Sequence, residues 1–193
     1  VLFRSENQPI IDASKLLADA RVHAISWNGT SSGWLGFDAD KKLCKEITEE
    51  TGIPASTSVL ALNEIFEKTG VKRFGLVTPY LDEIQEKVIE TYASEGFECV
   101  SERHLRDKGN FSYSEVSEEL IANMVREVAK DKPEAITIFC TNLHGASIVD
   151  ELEKETGIPI YDTVSTSVWK AMKQAGADPT LVKGWGRLFD EIG

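Results

Sequence analysis

The chain has 193 residues, 41% of them hydrophobic, and sets 21 Lys and Arg against 32 Asp and Glu for a formal net charge of −11. That length can bury a core without disulfide or metal staples, as one domain or two small lobes. The acidic balance disfavours nucleic acid and anionic membranes as partners, since both need clustered Lys and Arg. No apolar run approaches the roughly 18 residues of a membrane span, and no signal-peptide pattern opens the chain. The 3 cysteines are too widely spaced for a disulfide framework or a zinc motif, so a reducing cytoplasm is expected. The opening Val1 to Ser5 begins without Met and carries no start signal, which reads as the edge of a fragment.

In chain order, Ile10, Ile11, Leu16 and Leu17 predict a helix over 8–20 with Pro9 in its first turn. Residues 22–27 read as a short strand, 29–36 as a Gly/Ser-rich turn, and 38–50 as a helix capped by Asp38 and ended by Gly52 and Pro54. A helix over 58–68 and a strand over 74–77 follow. Leu81, Ile84, Val88 and Tyr92 make one face of the next helix, 97–100 is a further strand, and Leu120, Ile121, Met124, Val125 and Val128 mark another amphipathic helix. Residues 135–139 are the most strand-like run. After them come a helix over 146–155, a strand over 158–161, a helix over 164–174 and a helical tail over 183–192 built on Trp185, Leu188, Phe189 and Ile192.

Part of this order occurs twice. An apolar run breaks into small polar residues at Asn28-Gly29-Thr30-Ser31 and again at Cys140-Thr141-Asn142. Each break leads to a helix ending in Glu-Thr-Gly-Ile-Pro, at Glu50 to Pro54 and at Glu155 to Pro159, and then to a Ser/Thr cluster and another helix. Such self-similarity implies a duplicated unit. Strands alternating with helices of this length imply parallel sheets covered by helices. Ligands of such sheets bind beyond the carboxyl ends of the strands. The polar strand ends at Asn28 to Ser31, at Thr78-Pro79-Tyr80 and at Cys140 to Asn142 are therefore expected to converge on one crevice.

Cys140 stands where the two copies differ, opposite Gly29. Backbone N–H groups and a helix start beyond a strand end are expected to lower its thiol pKa, making it a nucleophile or a proton carrier to carbon; the alternative is a small buried hydrophobe. Cys44 and Cys99, within a helix and a strand, read as core. Thr30, Ser31, Thr141 and Asn142 either cap the following helices or line an anion site with neutral donors. Tyr80 either offers its phenol to a carboxylate or packs on an edge. His144 either tunes the thiol or faces solvent, and His23 and His104 form no pattern. Trp27 and Trp34 are core or pocket wall. No dinucleotide fingerprint, phosphate loop, zinc-protease motif or Ser-His-Asp arrangement is present, so neither cofactor nor metal is indicated.

These turns, in this order and with the internal repeat, resemble the Asp/Glu racemase superfamily over essentially the whole chain, and within it the branch of arylmalonate decarboxylases and maleate cis-trans isomerases. The resemblance implies two pseudo-symmetric α/β lobes of parallel sheets flanked by helices, with a site between them and no cofactor. The first lobe is expected over residues 1–70 plus 164–193, lacking its N-terminal strand, and the second over 71–163. The resemblance makes Cys140 the thiol of the second lobe and puts Gly29 at the position of the first thiol. Racemases and isomerases need both thiols, whereas arylmalonate decarboxylases have glycine there. The implied reaction is decarboxylation of a small malonate-type dicarboxylate through an enediolate held by Gly29, Thr30, Ser31, Tyr80, Thr141 and Asn142 and protonated by Cys140. Thr141-Asn142-Leu143 is closer to the isomerase side, where decarboxylases carry glycine-rich sequence. Maleate isomerase or racemase-like chemistry and a non-catalytic carboxylate binder are the alternatives. The oligomeric state is left open.

Overall fold

Residues 7–193 are described by a computed structural model, and the opening Val1 to Ser5 lie outside them. The first helix, α1 (Gln8–Asp19), leads to strand β1 (Ile25–Trp27), a short helix α2 (Ser32–Leu35), α3 (Asp38–Thr51), β2 (Ala55–Thr57) and α4 (Ser58–Thr69). Then come β3 (Arg73–Thr78), α5 (Asp82–Ser94), β4 (Glu98–His104), α6 (Glu118–Ala129) and β5 (Ala135–Ile138). The chain closes with α7 (Val149–Thr156), β6 (Ile160–Asp162), α8 (Thr163–Gln174) and α9 (Arg187–Glu191). The strands form two parallel sheets, a pair β1-β2 and a four-stranded sheet in the order β4-β3-β5-β6. Helices flank both, which is the α/β architecture expected.

The Glu-Thr-Gly-Ile-Pro repeat is a helix-ending device made twice with the same bonds. In α3, Thr51 Oγ1 donates to the Ile47 carbonyl at 2.7 Å and accepts from Ile53 N–H at 3.2 Å. In α7, Thr156 Oγ1 donates to the Leu152 carbonyl at 2.7 Å and accepts from Ile158 N–H at 3.2 Å. Gly52 and Gly157 follow with φ of 71° and 74°, the left-handed conformation that glycine adopts without strain. Each copy thereby turns its chain sharply into the next strand, and the strand–helix–strand–helix path from β1 to α4 is repeated from β5 to α8.

The main core is built on Leu76, Val77, Ile136 and Ile138 of the central strands, with Phe66, Phe74, Tyr92 and Phe139 packed ring against ring. A smaller cluster of Ile11, Ile25, Leu43 and Ile47 fastens α1 and α3 to β1. Helix α8 runs from the end of β6 to pack on α4, β1 and β2, so the two sheets share it. The Thr166 hydroxyl donates to the Ser58 carbonyl at 2.9 Å across that contact.

Several expectations need correction. Strand β2 reads in the sequence only as a Ser/Thr cluster; its buried Ser56 donates to the Ser26 hydroxyl and its buried Thr57 accepts from the Leu60 N–H, so no hydrophobic signal marks it. Strand β4 runs on to His104 through Ser101, Glu102 and Arg103, polar residues that an edge strand accommodates. Asp38 is not the cap of α3, because Phe37 holds that position, and Asp38 lies in the first turn. The helix expected over 146–155 opens as a tight 3₁₀ turn (Ala146–Ile148) before α7. Gly184 and Gly186, at φ 80° and 91°, delay the closing helix to Arg187. In α1, Leu16 and Leu17 are exposed, and Ile11 with Ser14 takes the buried side. Cys44 and Cys99 are half-buried, and Cys99 packs against the main core. Among the described residues no helix is long and apolar enough to cross a membrane.

Candidate active site

Parallel strands end on one side of a sheet, and the residues just past the ends of β1, β3 and β5 meet there. Beyond β1, Thr30 is buried, and its Oγ1 shares a 2.6 Å hydrogen bond with the Tyr80 hydroxyl from the turn after β3. Tyr80 is itself buried; its N–H donates to Thr78 Oγ1 at 3.3 Å, and its ring stands edge-on to Trp34 at 5.2 Å and to Tyr113 at 5.9 Å. Beyond β5, Cys140 is 4% exposed, and its sulfur is within hydrogen-bonding reach of the Tyr80 hydroxyl and of the Asn142 and Leu143 N–H groups. Thr141 Oγ1 donates to the Asn28 carbonyl at 3.4 Å, tying the end of β5 to the end of β1. The three turns therefore converge as expected.

The turn side chains do not cap helices. Thr30 bonds Tyr80 and Thr141 bonds Asn28, while Asn142 Nδ2 donates to Asn110 Oδ1 at 2.8 Å and to its carbonyl at 3.2 Å. Ser31 occupies the cap position of α2 without a side-chain capping bond. The Thr30 and Thr141 hydroxyls are thus spent on bonds between strand ends rather than on helix starts. Trp34 packs edge-on against the Tyr80 ring, whereas Trp27 is partly exposed and His144 faces solvent.

Gly29 makes room for a neighbour. A Cβ on it would lie 2.7 Å from Trp27 Nε1 and 3.0 Å from Cε2, so the indole fills the space a side chain would need. Any thiol there has to displace Trp27.

The acidity expected of Cys140 is reversed. Burial pushes its thiol pKa up, and the Asn142 and Leu143 N–H groups and the Tyr80 hydroxyl only offset part of that. The helix start expected to oppose that burial is absent, since the 3₁₀ turn begins at Ala146 and α7 at Val149. Tyr80 is pushed well above its ordinary value by burial and by the neighbouring Cys140 sulfur. At neutral pH both groups hold their protons, and both are donors.

Sequence reasoning missed Asn110 and Tyr113, which reach the site from the segment between β4 and α6, and Asp162, buried at the end of β6. Asp162 had a usable signal, since it too is a polar residue closing an apolar strand. Among the described residues no three His, Cys, Asp or Glu side chains are grouped so as to hold a metal ion. A surface cleft of about 340 Å³, lined by Phe37, Leu60, Asn63 and Phe97 among others, shares no residue with the strand-end cluster. The chemistry of the side chains, rather than volume, singles out the strand ends.

Residues 3–189 match the family model described as arylmalonate decarboxylase. The arylmalonate decarboxylase of Bordetella bronchiseptica is 26% identical over 187 residues, covering 95% of this chain and 78% of the relative. A maleate isomerase of Nocardia farcinica is 27% identical over 134 residues, covering 69% of this chain and 53% of the relative. A crystal structure of arylmalonate decarboxylase superposes with a TM-score of 0.86 at 25% identity, over 96% of this chain and 82% of that one. The fold, the convergent strand ends and a family match over nearly the whole length together make this chain a member of the arylmalonate decarboxylase family, within an enzyme group that also includes maleate isomerases.

Proposed function

We propose that the chain is a cofactor-independent decarboxylase of a small, aryl-substituted malonate, with Cys140 as the proton donor. The observation that carries this reading is a buried thiol at the end of β5, its pKa raised by burial, while the end of β1 that Thr141 ties to it carries a glycine whose side-chain space is filled by Trp27. Such a site has an acid on one face of a substrate carbon and none on the other.

In this reading one carboxylate of the substrate is held by Tyr80, Thr30 and Ser31 and by the N–H groups of the turns after β1 and β5. The other carboxylate, against the aromatic wall of Trp34, loses its hydration and leaves as CO₂. The electron pair of the broken C–C bond enters an enediolate on the retained carboxyl group, where the donors already present stabilise the growing charge without reorganising. Cys140 then gives its proton to the α-carbon, and the thiolate recovers one proton from solvent, so each turnover consumes one proton and releases one CO₂. A thiol with a raised pKa remains protonated at neutral pH and is still a far stronger acid than the carbon acid being formed. Three free thiols suit a reducing compartment.

The maleate isomerase reading draws on Thr141 and Asn142 and on the isomerase relatives. It is disfavoured by the raised thiol pKa, since a nucleophile must be thiolate, and by glycine at position 29.

Proton NMR of phenylmalonate in D₂O tests the proposal. The expected product is α-deuterated phenylacetate, with the rate reduced about 10²–10⁴-fold by Cys140→Ala, the range of a general acid. Isomerisation of maleate by the same sample, with phenylmalonate untouched, would replace the decarboxylase reading by the isomerase one.

A further inference from the structure

Asp162 is a charged residue the proposed chemistry does not use, and it is fully buried at the carboxyl end of β6. One carboxyl oxygen, Oδ1, caps α8 by accepting from the Val164 N–H at 2.8 Å and the Ser165 N–H at 3.4 Å. The other, Oδ2, is buried without a hydrogen-bond partner. It points to Gly145, on the segment that leads from Cys140 to α7; a Cβ on Gly145 would lie 2.8 Å from Oδ2. Parallel pairing sets Ile138 beside Asp162, and Cys140 follows Ile138 by two residues, so the carboxyl group and the sulfur occupy neighbouring strand ends. An unpartnered carboxylate in this setting would be costly, and the proton that relieves the cost belongs on Oδ2.

We infer that Asp162 is a positioning residue that acts through Cys140, a buried carboxyl group whose ionised form makes the sulfur hold its proton more firmly and whose neutral form releases that hold. The inference rests on Cys140 being the reacting thiol of the proposed function. Burial moves the Asp162 pKa from 3.8 up to about 7, and its negative charge is among the causes that raise the Cys140 thiol. The carboxyl group therefore changes charge in the middle of the physiological range, next to a group that must stay protonated to act.

Of the other titratable groups nearby, His144 beside Gly145 faces solvent, and the rest have different commitments. From α7, Glu153 accepts from the Ile160 and Arg187 N–H groups, and on α9 Arg187 and Glu191 pair with each other, Nε to Oε1 at 3.9 Å. Lys170 and Lys173 of α8 bind Glu64 and the Gly193 carbonyl. Around the sulfur itself stand Tyr80, Tyr113 and Asp162. Of these three only Asp162 titrates near neutrality, because burial raises both phenols above their ordinary values.

The test is a pH titration of protein carrying ¹³C at the cysteine β-carbons, with the Cys140 resonance assigned by its loss in Cys140→Ala. In the otherwise native protein the Cys140 resonance is expected to show an inflection near pH 7 that Cys44 and Cys99 lack. In Asp162→Asn that inflection is expected to vanish, and the thiol to become about tenfold more acidic, the usual effect of removing one nearby like charge. A flat Cys140 resonance between pH 5 and 9 in the native protein, or an inflection that survives in Asp162→Asn, would overturn the inference. Asp162→Ser, which keeps a capping oxygen without the charge, serves if the amide variant does not fold. The measurement needs no substrate, so failure to decarboxylate malonates and failure of this coupling are separate results.

Discussion

Tyr80 illustrates how much a single side chain holds together at the strand ends. Its hydroxyl reaches both Thr30 and the Cys140 sulfur, and its ring lies between Trp34 and Tyr113. Removing the hydroxyl leaves the aromatic packing intact but strips Thr30 of its partner and the enediolate of a donor. Tyr80→Phe is expected to lower kcat about 10²–10³-fold, as loss of an oxyanion donor does, while costing about 1 kcal/mol of stability. Steady-state kinetics and urea unfolding of the same variant check the two figures. The residue scale is also where the sequence misled. Strand-end position suggested an acidic thiol at Cys140, yet acidity depends on how deeply surrounding elements bury the sulfur and on where the next helix starts. Neither can be counted from neighbours in the chain.

Among the elements, the two helix ends at Thr51 and Thr156 form a natural experiment. Each hydroxyl donates to the carbonyl four residues back and accepts from the N–H two residues on, with the same lengths in both copies. Thr51→Val and Thr156→Val should therefore destabilise the protein alike, by about 1 kcal/mol each. Lying on separate helices without shared partners, they should combine additively in the double variant, which denaturant unfolding of the three proteins measures. The duplication was legible because it is written in local residues. Periodicity likewise located most helices and the apolar strands. What stayed hidden was structure held by polar residues, namely β2 with Ser56 and Thr57 and the outer half of β4, where burial alternates with hydroxyls and charges. The segment bearing Asn110 and Tyr113 was hidden for another reason: its place over Asn142 and Tyr80 is a long-range contact with no local signature.

On the scale of the whole molecule, the buried carboxyl of Asp162 ties stability to pH. The folded chain keeps its proton up to about pH 7, whereas the unfolded chain releases it near 3.8. Across that window the folded form binds more protons, so stability falls as pH rises through it. Asp40 and Glu153, also raised by burial, act in the same direction. Between pH 5 and pH 8 the native protein is expected to lose on the order of 2–4 kcal/mol relative to Asp162→Asn. Urea midpoints of both proteins at the two pH values measure it, and parallel curves would refute the assignment.

The fold class, the convergence of three strand ends and the asymmetry between Cys140 and Gly29 are all readable from the order of residues alone. The filling of the Gly29 side by Trp27, which makes that asymmetry physical, is not, because it depends on the direction of one indole ring. The central claim is that protonation comes from a single face. Methylphenylmalonate, whose two carboxylates flank a carbon that becomes chiral on loss of one, reports this directly when its product is resolved by chiral chromatography. One enantiomer of 2-phenylpropionate in large excess is the predicted result; a racemic product would contradict a site with Cys140 as its sole proton donor.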